Sequence, residues 1–220
     1  MPDGNESSLV NPLLLALGFA SLWTAVASPV AHLDHHLLTA HMVQHLVLMI
    51  GAAPLILSGV RPARLEPLRV ISAHPAFCWF AGTFTVIVWH IPAVFDLALR
   101  SHLWHAFEQT SFFLAGILFW CPVIQPLRHA ETNWSVPLYL FFATLPCDAL
   151  SAYLVFCGHI VYRPYLSGSG HFHLSPLEDQ ALAGALMWVS VTFAYLIPAL
   201  FVTARLLSAT GIRNAEVEAF

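Results

Sequence analysis

Apolar runs of about twenty residues recur along this chain, and a helix of that length spans the ~30 Å hydrocarbon core of a bilayer. Six such runs are read, at about residues 12–30, 41–60, 75–95, 101–123, 134–158 and 178–206. Charged residues make up 9% of the chain, against the ~25% usual for a soluble domain. The expected fold class is therefore all-α, a polytopic transmembrane helix bundle in which residues 1–220 form one integral membrane domain with lipid as its solvent. The first run has no positively charged segment before it, so it is read as a span that stays in place. Pro54 is expected to kink the second.

Arginine sets the expected orientation. There are eight Arg and no Lys. With six spans, Arg61, Arg64, Arg69, Arg128, Arg205 and Arg213 share the side of the termini, and Arg100 and Arg163 lie opposite. Loops rich in Arg stay in the cytoplasm, which puts the termini there. Of the thirteen histidines, His74 and His129 fall on that side and the other eleven on the external or periplasmic side. A site opening outward is the expectation. The net charge of −4 and the lack of a basic block give no nucleic-acid footprint.

Chemistry is expected first at His41 and His45, four residues apart on one helical face at the start of the second run. Met49 follows on the same ridge, with Met42 on a neighbouring one. Imidazole with thioether suits copper, Cu(I) above all, whereas an interfacial His41 with a hydrogen-bonded His45 is the plainer alternative. His102, His105 and Glu108 line another face, fit to bind a metal or pass protons. His90 precedes Asp96, a carboxylate that either orients a ligand imidazole or caps the next helix.

Asp148, deep in the fifth run, is a candidate for a proton path or for balancing a bound cation. Asp179 and Gln180 open the sixth run, where acidic residues also favour a helix start. Gly184 leaves room for close helix packing, and Met187 lies two turns below Asp179. His32, His35, His36, His171 and His173 are candidates for external capture. The cysteines make no C-x-x-C pair and read as buried apolar side chains, with Cys147 and Cys157 as alternative soft ligands. No nucleophile elbow, P-loop, dinucleotide fingerprint or H-E-x-x-H is present, so no enzymatic activity is expected.

Three stretches in order, HMVQHLVLM at His41–Met49, WHIPAVFDLAL at Trp89–Leu99 with HLWHAFEQ after it, and DQALAGALMW at Asp179–Trp188, resemble the bacterial CtaG family of cytochrome c oxidase assembly factors associated with caa3-type oxidases. The resemblance covers about residues 32–206. It implies an inner-membrane protein that helps mature haem-copper oxidase through copper handling, with an oxidase subunit or other assembly factors as partners. It carries functional roles onto His41, His45, His90, Asp96, His102, His105, Asp179, Gln180 and Met187. It also implies seven spans where hydropathy gives six.

The resulting expectation is a copper-binding factor that holds the ion at a periplasm-facing histidine cluster and hands it to an apo-oxidase, binding less well as the imidazoles charge near pH ~6. A membrane redox protein with b-type haem between histidine pairs is the alternative from another class. A metal-independent assembly chaperone is the third. Self-association is left open by the sequence.

Overall fold

The computed structural model describes residues 10–29, 31–60, 66–128, 133–166 and 174–218, and all regular structure among them is helical. Helix α1 (Pro12–Val26) begins where Asn11 Oδ1 accepts from Leu14 N at 3.2 Å, with Pro12 pre-set for the first turn. A 3-10 turn, Ala31–His35, leads to α2 (Leu38–Gly59). Then come α3 (Glu66–Ser72), α4 (Pro75–His90), α5 (Pro92–Arg100), α6 (His102–Arg128), α7 (Ser135–Phe156) and α8 (Pro176–Glu218). A second 3-10 turn, Arg163–Leu166, lies between α7 and α8.

Among the described residues, five stretches are long and apolar enough to cross a membrane: Pro12–His35, Leu38–Gly59, His102–Ile124, Ser135–Phe156 and Pro176–Ser208. The pair α4 and α5 makes a sixth only if it counts as one span, because the two helices meet at 78°. The third run was expected to continue unbroken to about residue 95. It breaks instead at Ile91, whose ψ of 123° is the extended value that a following proline imposes. The first run likewise leaves α-helix at Val26 and reaches His35 only through the 3-10 turn.

The outer surface is apolar, unlike that of a soluble protein, and polar residues join an otherwise apolar interior. On α4 the exposed side chains Phe77, Phe80, Phe84 and Ile87 recur every three or four residues, which marks a lipid-facing stripe. Glu108, His41 and Asp179 are fully enclosed. Such intramembrane polar residues belong to a bundle interior that has a use for them.

Two glycines permit close helix approaches beside the bundle interior. A Cβ on Gly184 of α8 would lie 3.1 Å from Ser151 O of α7, so the expected close packing is present, in the most extensive helix pair of the bundle. A Cβ on Gly116 of α6 would lie 2.8 Å from Met49 O and 2.9 Å from Ala53 Cβ of α2. Because that obstacle is backbone, Gly116→Ala is expected to cost about 1–3 kcal/mol of stability, seen as an earlier thermal transition of the detergent-solubilised protein.

Helix α2 accommodates Pro54 by widening. Val47–Ala52 is π-helical, and Ala53 N–H reaches back five residues to Leu48 O. In that register the next donor would be Pro54, which has no N–H to offer Met49 O. The Trp120 indole N–H of α6 fills the gap, donating to Met49 O at 3.0 Å. A π-segment of this kind is a frequent companion of functional sites, and here it begins two residues after His45 and carries Met49.

Candidate metal centre

The start of α2 is held from another helix. Asp179, near the start of α8, accepts from Leu38 N at 2.7 Å through Oδ2 and from Thr39 N at 3.0 Å through Oδ1. These are orphan donors of the first turn, and Leu37, the residue in the capping position, offers no side-chain acceptor. Asp179 is itself positioned by a capping box, in which Ser175 N donates to Glu178 Oε2 and Glu178 N to Ser175 Oγ. Gln180 ties down the chain after α7, accepting from Val161 N at 2.8 Å and donating to His159 O at 3.1 Å.

One turn into α2 the histidines converge. Glu108 Oε1, from α6, lies 3.4 Å from Nε2 of both His41 and His45. The two rings stand edge to face, 4.4 Å between centroids. Toward the end of the bundle, His105 Nε2 lies 3.1 Å from Asp34 Oδ2 and 3.2 Å from Gln44 Oε1. Its ring stacks at 5.7 Å on that of His41. Among the described residues, two sets of three therefore bring ligand atoms within 4.8 Å of one another, Asp34 with His41 and His105, and His41 with His45 and Glu108. His41 belongs to both.

The donor atoms are unusually free for their burial. His41 Nδ1, both nitrogens of His45, Glu108 Oε2 and Asp34 Oδ1 are buried without a hydrogen-bond partner. Leaving such atoms unmade costs ~1–3 kcal/mol each. A cation would satisfy several at once. Imidazole and carboxylate together suit borderline first-row cations, so the residues present fit a metal.

The cluster has a mouth and a floor. A polar vestibule of about 160 Å³ is lined by His32, Asp34, His35, Gln44, His102 and His105. On the other side, below His45, lies a cavity of about 30 Å³ reached by Met42, Met49, His90, Cys147 and Met187. The stretch that carries Tyr162 and Tyr165, after α7, roofs the centre: Tyr165 OH donates to Asp34 O at 2.6 Å and Tyr162 OH to His90 O at 2.9 Å. Burial raises both phenols above their ordinary range, so they remain protonated donors. Phe95 packs between this roof and His41, 4.2 Å from the Tyr162 ring and 4.8 Å from that of His41.

Residues 8–209 match the model of the cytochrome c oxidase caa3 assembly factor family, Caa3_CtaG. The chain belongs to this family. No curated protein and no solved structure matches it.

Of the residues expected to serve this CtaG-family site, His41, His45, His105 and Glu108 meet in the paired clusters. His90, Met49 and Met187 line the cavity below. His102 is exposed at the start of α6 and belongs to the vestibule instead. The break at Pro92 leaves Asp96 on α5, half-buried and without a hydrogen bond to a site histidine among the described residues. The acceptor that orients His90 is its own-helix carbonyl, Val86 O, 2.7 Å from Nδ1.

Asp148 stands apart, in a groove of about 360 Å³ between α7 and α8 that also takes in Thr144 and Thr192. His32 and His35 line the vestibule, and His36 is exposed nearby. His171 and His173 lie outside the described residues. Asp34, Gln44, Tyr162 and Tyr165 were not expected at the site. Asp34 in HLDHH and Gln44 in HMVQH had a signal, since each interrupts a histidine pair, whereas the tyrosines reach the centre from a loop with no motif of its own.

Proposed function

We propose that this protein binds copper at the paired clusters and passes it to an apo-subunit of a haem-copper oxidase during assembly. The observation that carries the reading is the position of His41, fully buried and common to both sets of potential ligands. Ligand exchange at one shared imidazole would let an ion pass between adjacent sites without full release. Delivery is then ligand exchange, with no covalent chemistry to catalyse. With α4 and α5 counted as one span, giving six in all, the six-to-two distribution of Arg supports termini in the cytoplasm and a vestibule that opens to the periplasm.

The b-haem alternative is disfavoured by shape. His41 and His45 project from one face of one helix with their rings 4.4 Å apart, whereas axial haem ligation needs imidazoles opposed across a flat macrocycle. The cavity next to them is about 30 Å³, near the space of a single water.

The test is metal and haem content of anaerobically purified protein, by elemental analysis with an optical spectrum. Copper bound in wild type, and reduced on replacing His41 and His45 together by Ala, supports the proposal. A haem band in its place, or oxidase association that persists in copper-depleted cells, overturns it in favour of a cytochrome or a metal-independent chaperone.

A further inference from the structure

The chain has four methionines, one of them Met1. The other three, Met42, Met49 and Met187, come from two helices and all line the one cavity beneath His45. Each is at most 6% exposed. Thioethers used as core filler close around one another; these surround a space instead, and two buried imidazoles share it. His90 is one. Its Nδ1 donates to Val86 O, which leaves Nε2 as the unprotonated nitrogen, and that atom has no partner. His45 is the other, its ring held by stacking on Phe112 at 3.9 Å.

We infer that this cavity is a second metal site, selective for a soft monovalent cation, with Met42, Met49, Met187 and His90 as donors and His45 as the link to the cluster above. Two independent features point to that class of ion. The donors are sulfur and neutral imidazole, which prefer Cu(I)-like cations over harder divalent ones. The wall also carries no carboxylate, and the cost of taking an ion out of water grows as the square of its charge, so a site without a counter-charge admits a monovalent ion far more readily than a divalent one. The cavity is about 30 Å³, room for an ion stripped of its water rather than a hydrated one.

The clusters thus form a graded series, from the polar vestibule through carboxylate and imidazole to thioether. The cation moves along it by exchanging ligands at His41 and then His45. Its oxidation state does not change, so no electron donor is required. The inference rests on the metal-handling proposal for its cargo, and the two fail separately.

The experiment titrates purified, detergent-solubilised protein anaerobically with Ag(I), a redox-inert soft monovalent ion, and in parallel with Co(II). X-ray absorption then reads the ligands of bound silver. Wild type is expected to show silver–sulfur scattering. Met42→Leu, Met49→Leu and Met187→Leu together, which keep volume nearly constant, are expected to remove that scattering and weaken Ag(I) binding by about tenfold or more. Co(II) binding in the same variant should persist, which also reports an intact fold. His41→Ala with Glu108→Gln is expected to do the reverse. Wild type that binds Co(II) but shows no silver–sulfur scattering, or the methionine variant retaining it undiminished, overturns the second site alone. Wild type that binds neither ion overturns the metal-handling proposal and this inference with it.

Discussion

His41→Ala is expected to abolish metal binding at both clusters together, whereas His105→Ala should remove only the outer one. The asymmetry follows from sharing. His41 stands in the set with Asp34 and His105 and in the set with His45 and Glu108, while His105 stands in the first alone. Loss of a mere outer partner typically costs ~10–100-fold in metal affinity, so loss of a direct donor should reach at least about 100-fold, or ~2.7 kcal/mol. Copper or cobalt titration of the two variants checks it. Equal residual stoichiometry in both would show that His41 is not shared. The fold should survive, because His41→Ala also removes a buried polar atom, Nδ1, that has no partner to lose. Glu108 then keeps His45 within 3.4 Å.

How much of this was legible depended on the range of the interaction. The spacing of His41 and His45 on one helix, and of His105 and Glu108 on another, is local periodicity, and local periodicity is what a sequence displays directly. That these two faces meet was not local. It depends on Gly116 letting α6 approach the backbone of α2, a contact between residues far apart in the chain. The proline at 54 announced a distortion but not its form. A π-turn became the outcome only because Trp120, on a different helix, could satisfy Met49 O. Pro92 carried a plain signal that was read too weakly: a proline two residues after His90 ends the helix at the preceding residue, and the third run bends there.

The site also illustrates why an acidic residue at a helix start can be misjudged. Asp179 reads as a favourable charge for its own helix, and the carboxylate is spent elsewhere, on the amides that open α2. The methionines are the converse case. Singly, each of Met42, Met49 and Met187 is an ordinary apolar residue, and their meaning comes from convergence on one cavity. In both cases the residue's type was visible and its partner was not.

Asp179→Ala is therefore expected to damage the metal centre without touching it. The substitution strips acceptors from Leu38 N and Thr39 N, and Leu38 is 1% exposed, so water cannot readily replace the bond it loses. Two amides left without acceptors, at ~1–3 kcal/mol each when buried, put the expected loss of stability at about 2 kcal/mol or more. The first turn of α2 should loosen, and that turn ends at His41. Metal affinity should then fall by about 10–100-fold, the range for a supporting residue, although no ligand has been removed. Asp179→Asn, which retains one carbonyl acceptor, should recover part of both losses. Thermal unfolding and metal titration of the two variants side by side measure this. Loss of stability with unchanged metal affinity would show instead that His41 and His45 are held by α6 and the π-segment, independently of how α2 begins.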